Sequence, residues 1–448
     1  MVQLWKQESV QWKVALQTGG EAVSVRMGDE PWQLLVALGG QVTGEILRRA
    51  AAKAVKSVQQ FGGESAVLDA APAVEALGAE GLSALAQGAG LAQYRRETWK
   101  ERQDKPFTLY LAGAGVENAQ AVVDEAAVLV KGVCFARDLT NRPANKLTPV
   151  LMAQCVSEAA GKVGIEVQVL DEKETRALGM EAFHAVGDSS ANPPRLIVLR
   201  WKGGKPEQAP IALVGKGVCF DSGGYCLKGR AGMEHMNGDM GGGAAVCGAI
   251  LALAENKVPV NAVAVVPAVE NRISDSSFLP SFVIGSMAGK TIDVGNTDAE
   301  GRLILADAVT YAIRKENAAK VVDIATLTGA IARMLGGVAT GTMSNDDEFY
   351  AGLEAAAARS GERFWRMPGF PEYKKLIESP VADLRNTSDS AGAIAAALFI
   401  GAFAEDKPWI HLDIAGTGSV GDGGKEYQTK GATGVGVTTL YELCKGMA

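Results

Sequence analysis

The sequence predicts an α/β protein in two parts: a smaller N-terminal α/β domain, and a C-terminal domain with a mixed, mostly parallel sheet flanked by helices. Three observations predict it. The chain has 448 residues, too many for one ordinary hydrophobic core. Short apolar runs alternate with helix-spaced stretches, and in the second half the runs are apolar at successive positions, as strands buried on both faces require. Glycine is frequent, at 54 residues, without a triplet period, which fits many tight βα turns.

In chain order, residues 14–17, 22–25 and 33–38 read as strands and 44–61 as a helix. A strand over 66–68, a long helical stretch over 72–100 and a strand over 107–112 complete the first part. No polar cluster suited to chemistry stands out there. Residues 117–139 are apolar-periodic and stop at Asn141-Arg142-Pro143, the pattern of a bridging helix. The expected division is therefore 1–116 for the N-terminal domain, 117–147 for a linking helix and 148–448 for the C-terminal domain. In that last part a helix over 148–163 leads to strands over 165–170, 195–201, 211–215, 260–266, 291–294, 320–325 and 409–414. Ligands of such sheets bind beyond the carboxyl ends of the strands, so the chemistry is expected there.

Composition narrows the function. Apolar residues make up 47% and charged residues 21%, a globular profile. The net charge is −7, and the densest basic cluster, residues 94–105, also carries acids, which argues against nucleic acid as a primary partner. Residues 1–20 lack the apolar core of a secretory signal, and the longest nearly apolar run, 391–404, has 14 residues. Spanning a bilayer takes roughly 20, so this run reads as a buried helix and no membrane is expected. Six scattered cysteines without a C-x-x-C pair fit buried thiols in a reducing, cytoplasmic setting.

Three strand ends carry a density of ionisable groups. Lys216 and Asp221 lie in Val214-Gly-Lys-Gly-Val-Cys-Phe-Asp-Ser-Gly-Gly224, with Lys228 after a further turn. Asp239 precedes an Ala-rich helix, and Asn296-Thr-Asp-Ala-Glu-Gly-Arg302 places Asp298 and Glu300 before another. Alone, each has a plain explanation: Thr297 or Asp298 as a helix cap, Glu300 at a positive helix end, Lys216 as a solvated charge. Together, Asp221, Asp239, Asp298 and Glu300 at one sheet rim would repel each other, and divalent cations are the simplest compensation. The three histidines have no H-E-x-x-H spacing. His184 and His411 read as structural, and His235 as a rim residue. Ser222 lacks the G-x-S-x-G elbow of a serine hydrolase.

The octapeptide Asn296-Thr-Asp-Ala-Glu-Gly-Arg-Leu303 resembles the signature of the leucyl aminopeptidase family, hexameric cytosolic enzymes that remove N-terminal residues from peptides with two metals. Val214-Gly-Lys-Gly217, Phe220-Asp-Ser-Gly-Gly224, Lys228 and Asp239-Met-Gly-Gly242 follow the same order, as do Asn192-Pro-Pro-Arg-Leu-Ile197, Ala325-Thr-Leu-Thr-Gly-Ala330, His411-Leu-Asp-Ile-Ala-Gly416 and Lys430-Gly-Ala-Thr-Gly434. The similarity spans roughly residues 138–440. It implies that Lys216, Asp221, Asp239, Asp298 and Glu300 ligate two divalent ions, Zn or Mn with Co or Mg as the other choices. It further implies Lys228 and Arg302 as catalytic cations, a bicarbonate at Arg302, and Met236, Thr326, Leu327 and Gly329 around the first side chain of the substrate. Peptides with a free N-terminus, Leu or Met favoured there, and a homohexameric assembly are likewise implied.

Burial and metal charge would both depress the pKa of a ligating Lys216. The sequence departs from the family pattern at Asn237, Gly243, Asp188-Ser-Ser190 and over 386–395, none of it at an implied ligand. Two other functions fit parts of the pattern. Some family members bind DNA, which the acidic balance here argues against, and a two-metal phosphoesterase could use the same carboxylates without explaining Lys216 and Lys228.

Overall fold

The computed structural model describes residues 1–6, 10–17, 23–26, 31–101 and 105–448. The chain divides into two compact units: Met1–Cys134 with Arg359–Gly361 and Val420–Gly431, and Phe135–Ala358 with Glu362–Ser419 and Ala432–Ala448. The division falls inside the helix Ala119–Asn141.

Among the described residues, the first unit holds a six-stranded sheet. Its strands are β1 (Val2–Leu4), β2 (Trp12–Gln17), β3 (Val23–Arg26), β4 (Trp32–Ala37), β5 (Ser65–Asp69) and β6 (Thr108–Ala112), in the order β1-β6-β5-β2-β4-β3. All neighbours are parallel except the β3–β4 pair. Helix Gly44–Gln60 starts where Thr43 Oγ1 accepts the Ile46 amide at 3.3 Å. Leu47, Ala51, Val55 and Val58, spaced by three and four, form its buried stripe.

The helix expected over 72–100 is shorter, Ala71–Ala92. The run after it, Tyr94-Arg-Arg-Glu-Thr-Trp-Lys100, offers no apolar face to continue it. Strand β1, three residues docked by its pairing with β6, has too short a pattern to read from sequence. Ala22 of the expected strand 22–25 and residues 102–104 of the basic cluster lie outside the described residues.

The second unit is built on a nine-stranded sheet. In chain order its strands are β7 (Glu166–Leu170), β8 (Arg195–Lys202), β9 (Ile211–Gly215), β10 (Gly217–Asp221) and β11 (Asn261–Asn271). A small three-stranded sheet follows from β12 (Val283–Ile284), β13 (Ile292–Asp293) and the later β17 (Leu384–Arg385). The main sheet resumes with β14 (Lys320–Ala325), β15 (Thr340–Ser344), β16 (Phe364–Arg366) and β18 (Trp409–Asp413). The order is β16-β15-β18-β14-β9-β11-β8-β7, with β10 also on β11. The central strands β18, β14, β9 and β11 are parallel, and antiparallel pairs lie toward the edges.

Helices Glu181–Gly187, Glu300–Arg314 and Gly392–Gly401 join one face of this sheet in a continuous apolar core. Helices Pro149–Lys162 and Gly241–Glu255 pack on the sheet as a separate group. Covering on both faces explains the near-continuous apolar runs of β9 and β14.

Two expectations change. The strand expected over 291–294 is reduced to β13 and belongs to the small sheet. Strand β15, Thr340-Gly-Thr-Met-Ser344, is buried without an apolar run, because hydroxyls such as that of Thr342 find partners, here Tyr350 Oη at 3.0 Å. Residues 391–404 contain the buried helix Gly392–Gly401, and no helix among the described residues is long and apolar enough to cross a membrane.

Candidate metal site at the sheet rim

The parallel strands β9 and β14, together with β10, end at the same rim, and each hands on a polar group there. Lys216 follows β9, Asp221 closes β10, and Thr326 follows β14. Asp239 comes from the turn after Met236–Gly238, and Glu300 opens the helix Glu300–Arg314. Asp298 lies two residues before Glu300. That helix is capped by Ala299 with no side-chain bond, so the capping role open to Thr297 or Asp298 is not used. Thr297 instead donates its hydroxyl to the Gly223 carbonyl at 2.7 Å and accepts the Cys226 amide at 2.8 Å. The Asp298 loop is thereby tied to the Asp221 loop.

Ion pairs interleave these groups. Lys216 Nζ lies 2.7 Å from Asp239 Oδ2 and 2.9 Å from Glu300 Oε1, and donates to the Thr326 carbonyl at 3.0 Å. Lys228 Nζ lies 2.8 Å from Asp221 Oδ2 and 2.5 Å from Asp298 Oδ1. Thr326 Oγ1 donates to Asp239 Oδ1 at 2.8 Å. Asp221 Oδ1 accepts from Asn271 Nδ2 and from the Gly223 amide, both at 2.8 Å. A Cβ at position 301 would stand 2.5 Å from Lys216 Cε, so glycine there leaves the lysine its seat between Asp239 and Glu300.

All five expected ligands thus come together, most of them deeply buried: Lys216 is 2%, Asp221 1%, Asp239 6% and Glu300 1% exposed. Oxygens of Asp221, Asp298 and Glu300 lie within 4.8 Å of one another. Four carboxylates face two ammonium groups, which leaves an excess of two negative charges in a desolvated pocket when all are ionised. The carboxylate pKa values register that excess. Burial, then Glu300 and Asp239, push Asp221 well above its usual range, and burial pushes Asp239 up to about 7. Asp298 is raised by burial and by Glu300. In Glu300 burial acts upward too, but Lys216 and Lys228 outweigh it and lower the pKa. Hard oxygen donors with unbalanced negative charge are a set that fits divalent cations.

Burial lowers the pKa of Lys216 as anticipated, but Asp239, Glu300 and Asp221 outweigh burial and raise it, so without metal it stands as an ammonium. Arg302, 8% exposed, is lowered to about 10 by burial, and its Nε has no hydrogen-bond partner among the described residues. Met236 sits in the turn leading to Asp239, Thr326 and Leu327 lie in the turn after β14, and Gly329 opens the helix Gly329–Leu335. His235 is exposed. His184 and His411 are buried, each hydrogen-bonded to a carboxylate, Asp188 and Asp323.

Sequence reasoning missed the residues that hold these groups. Asn271 braces Asp221. Asp413 Oδ1 accepts the Leu327 amide at 3.2 Å and the Ala415 amide at 3.1 Å, and its Oδ2 accepts the Thr328 hydroxyl at 2.7 Å. Asn386 binds the loop of Asp298. An isolated Asn or Asp carries no signal of such a role; for Asp413, its place in the His411-Leu-Asp motif was the available hint.

A mixed α/β sheet whose carboxyl rim gathers buried carboxylates with lysines has the donor set of a divalent-metal site. The chain belongs to the cytosol aminopeptidase family, whose catalytic-domain profile matches residues 134–441. It is similar to a probable cytosol aminopeptidase of Clostridium perfringens, 45% identical over 439 residues, covering 95% of this chain and 89% of that protein. A probable cytosol aminopeptidase of Alkaliphilus oremlandii is 41% identical, with 96% and 88% covered. Among solved structures, the bottromycin maturation enzyme BotP in complex with Mn superposes with a TM-score of 0.90 at 32% identity, covering 98% of this chain and 100% of that one. A mutant of tomato leucine aminopeptidase does so with a TM-score of 0.88 at 33% identity, covering 96% and 84%. The protein is a metal-dependent aminopeptidase that acts on peptides.

Proposed function

We propose that the enzyme hydrolyses the N-terminal residue from peptides, Leu- and Met-like residues favoured, at a centre of two divalent ions. Lys216, Asp221, Asp239, Asp298 and Glu300 hold the ions, Zn or Mn before Co or Mg. The convergence of these five groups in one buried, charge-unbalanced cluster carries the reading. Bound metal supplies Lewis acidity and brings the pKa of a water from about 15.7 toward neutrality.

The remaining roles belong to the chain. Lys216 must give up its proton to act as a ligand, and Asp239 likewise. Lys228, part-exposed at the edge of the cluster, donates to the oxygen of the scissile carbonyl as negative charge develops there. Arg302, with a buried and unpartnered Nε, suits an anion such as bicarbonate, which would carry the proton that a histidine handles elsewhere. Met236, Thr326, Leu327 and Gly329 line the pocket for the first side chain. A methylene in such a pocket is worth only about 1 to 3 kcal/mol, so selectivity is broad. By family resemblance the enzyme works in the cytoplasm as a homohexamer, with residues 1–116 and 148–448 as separate domains joined through 117–147.

Metal content per subunit, measured with leucyl p-nitroanilide turnover after chelation and after return of Zn or Mn, tests this. Two ions per subunit and metal-restored activity are expected. A folded Asp298→Ala protein with full activity would sink the ligand assignment. Turnover of phosphate esters but not of aminoacyl amides would point to a phosphoesterase.

A further inference from the structure

Of the proposed ligands, Asp298 sits on a loop, and Glu300 is the first residue of the helix that this loop leads into. Loops hold a shape only if their backbone polar groups find fixed partners. In residues 295–299 most of that work falls to one side chain from far along the chain. Asn386 is fully buried, at 0% exposure. Its Oδ1 accepts the Gly295 amide at 2.8 Å and the Asn296 amide at 3.2 Å. Its Nδ2 donates to the Asn296 carbonyl at 2.7 Å and to the Ala299 carbonyl at 3.4 Å. Two acceptor sites and two donor hydrogens are all that an amide side chain offers, and all four are spent on this loop.

The surroundings fix the amide in turn. Strand β17 runs parallel to β13, and the Asn386 backbone N–H donates to the Asp293 carbonyl at 3.1 Å, which continues the ladder to the edge of the loop. Arg385 Nη1 lies 2.6 Å from Asp293 Oδ2. At position 295 a Cβ would stand 2.5 Å from Thr387 Cγ2, so the two segments touch as only glycine allows. The side-chain hydrogen bonds of Asn386 all go to backbone atoms of Gly295, Asn296 and Ala299. Its effect on Asp298 and Glu300 passes through the backbone on which they stand.

We infer that Asn386 is a positioning residue for metal binding: it templates the 295–299 loop so that Asp298 and Glu300 meet the ions in one geometry. The inference rests on the proposed metal centre. Polar partners that orient metal-binding groups typically change affinity or activity by about 10- to 100-fold when removed. An aspartate at this position keeps size and acceptors but loses both donors and turns a charge on the Asn296 and Ala299 carbonyls.

The test compares wild type, Asn386→Asp and Asp298→Ala. It uses Mn²⁺ calorimetry on chelated protein, steady-state kinetics with leucyl p-nitroanilide, and circular dichroism. Asn386→Asp is expected to keep the wild-type spectrum and a KM within about twofold, while kcat and the affinity of at least one Mn²⁺ fall by about tenfold or more. A folded Asn386→Asp protein with unchanged Mn²⁺ affinity and kcat overturns the inference, provided Asp298→Ala loses Mn²⁺. If Asp298→Ala binds Mn²⁺ as wild type does, the metal assignment itself fails. Should Asn386→Asp not fold, hydrogen exchange on the metal-free wild type decides: slow exchange at the Gly295 and Asn296 amides is expected, and exchange at the rate of open loops overturns it.

Discussion

The Lys228 ammonium stands 2.5 Å from the Asp298 carboxylate, and the same ammonium reaches Asp221 at 2.8 Å. One cation thus neutralises acids from two separate loops. In the proposed reaction that cation faces substrate instead, and Lys228→Ala should lower kcat by about 10²- to 10³-fold, the usual loss for one oxyanion donor, with KM little changed. Steady-state kinetics on metal-loaded protein check this, and a kcat within threefold or so of wild type would remove Lys228 from the mechanism.

Metal uptake should depend on pH in a defined sense. Asp239 titrates at about 7, raised by burial, and Lys216 is held protonated by its carboxylate neighbours. Both must lose protons before they can ligate, so affinity rises with pH. Below about pH 7 the apparent Mn²⁺ affinity should fall by about tenfold per pH unit for each proton released. Calorimetry in buffers of different ionisation enthalpy would count those protons, and affinity flat between about pH 6 and 8 contradicts the coupling.

Chelation should weaken the fold. The metal-free cluster keeps repelling carboxylates close together, and ions that bind only the folded state add stability by mass action. At free metal about 100 times its dissociation constant the gain is about 2.7 kcal/mol. Denaturant titration with and without chelator measures it; equal midpoints would argue against these acids as ligands.

Gly301→Ala should disturb the site and spare the fold. The added methyl would lie 2.5 Å from Lys216 Cε and 2.8 Å from Nζ, so the lysine must leave its seat between Asp239 and Glu300. Helix propensity favours alanine over glycine by about 1 kcal/mol. The expected protein is folded, with weakened metal binding and activity reduced in step. Metal analysis after dialysis checks it, and full occupancy means the methyl finds room.

Asp323 belongs to the core rather than to the chemistry. Its Oδ1 lies 2.5 Å from His411 Nδ1 and its Oδ2 accepts the Trp409 indole at 2.6 Å, with Asp323 and His411 both at 0% exposure. Burial lowers the His411 pKa, but Asp323 outweighs it and the net direction is upward. Removing one partner of a buried pair costs about 3 to 5 kcal/mol, so Asp323→Ala should lose that much in urea unfolding. A loss below about 1 kcal/mol would mean that the imidazole stays neutral and finds another partner.

How much was legible in advance follows from the kind of signal each part carries. Strands β8, β9 and β14 could be read because burial on both faces demands unbroken apolar runs. Asp221, Asp239, Asp298 and Glu300 were legible as neighbours because they lie in motifs that resemble the aminopeptidase signature, and the fold brings them together around Lys216 and Lys228. Strand β15 could not, since two of its four buried positions are threonines, whose hydroxyls pair with Thr417 and Tyr350. Asn386 and Asn271 were invisible for the same reason: their importance lies in which backbone groups they meet, and a lone asparagine reads as a turn. The state of Lys216 was half legible. Desolvation could be foreseen, but the carboxylates that outweigh it depend on distances only the fold sets.

Asp413 grips the Leu327–Thr328 turn from the end of β18, by bonds to main chain and to a threonine hydroxyl. The anchoring therefore makes no use of the Leu327 side chain. With Leu327 at the proposed pocket for the first side chain, an apolar exchange that keeps its packing on the core should leave the turn where it stands and shift substrate range alone. A library confined to Leu327 and Met236 could then recruit the enzyme to new amino-terminal residues without rebuilding its reactive centre.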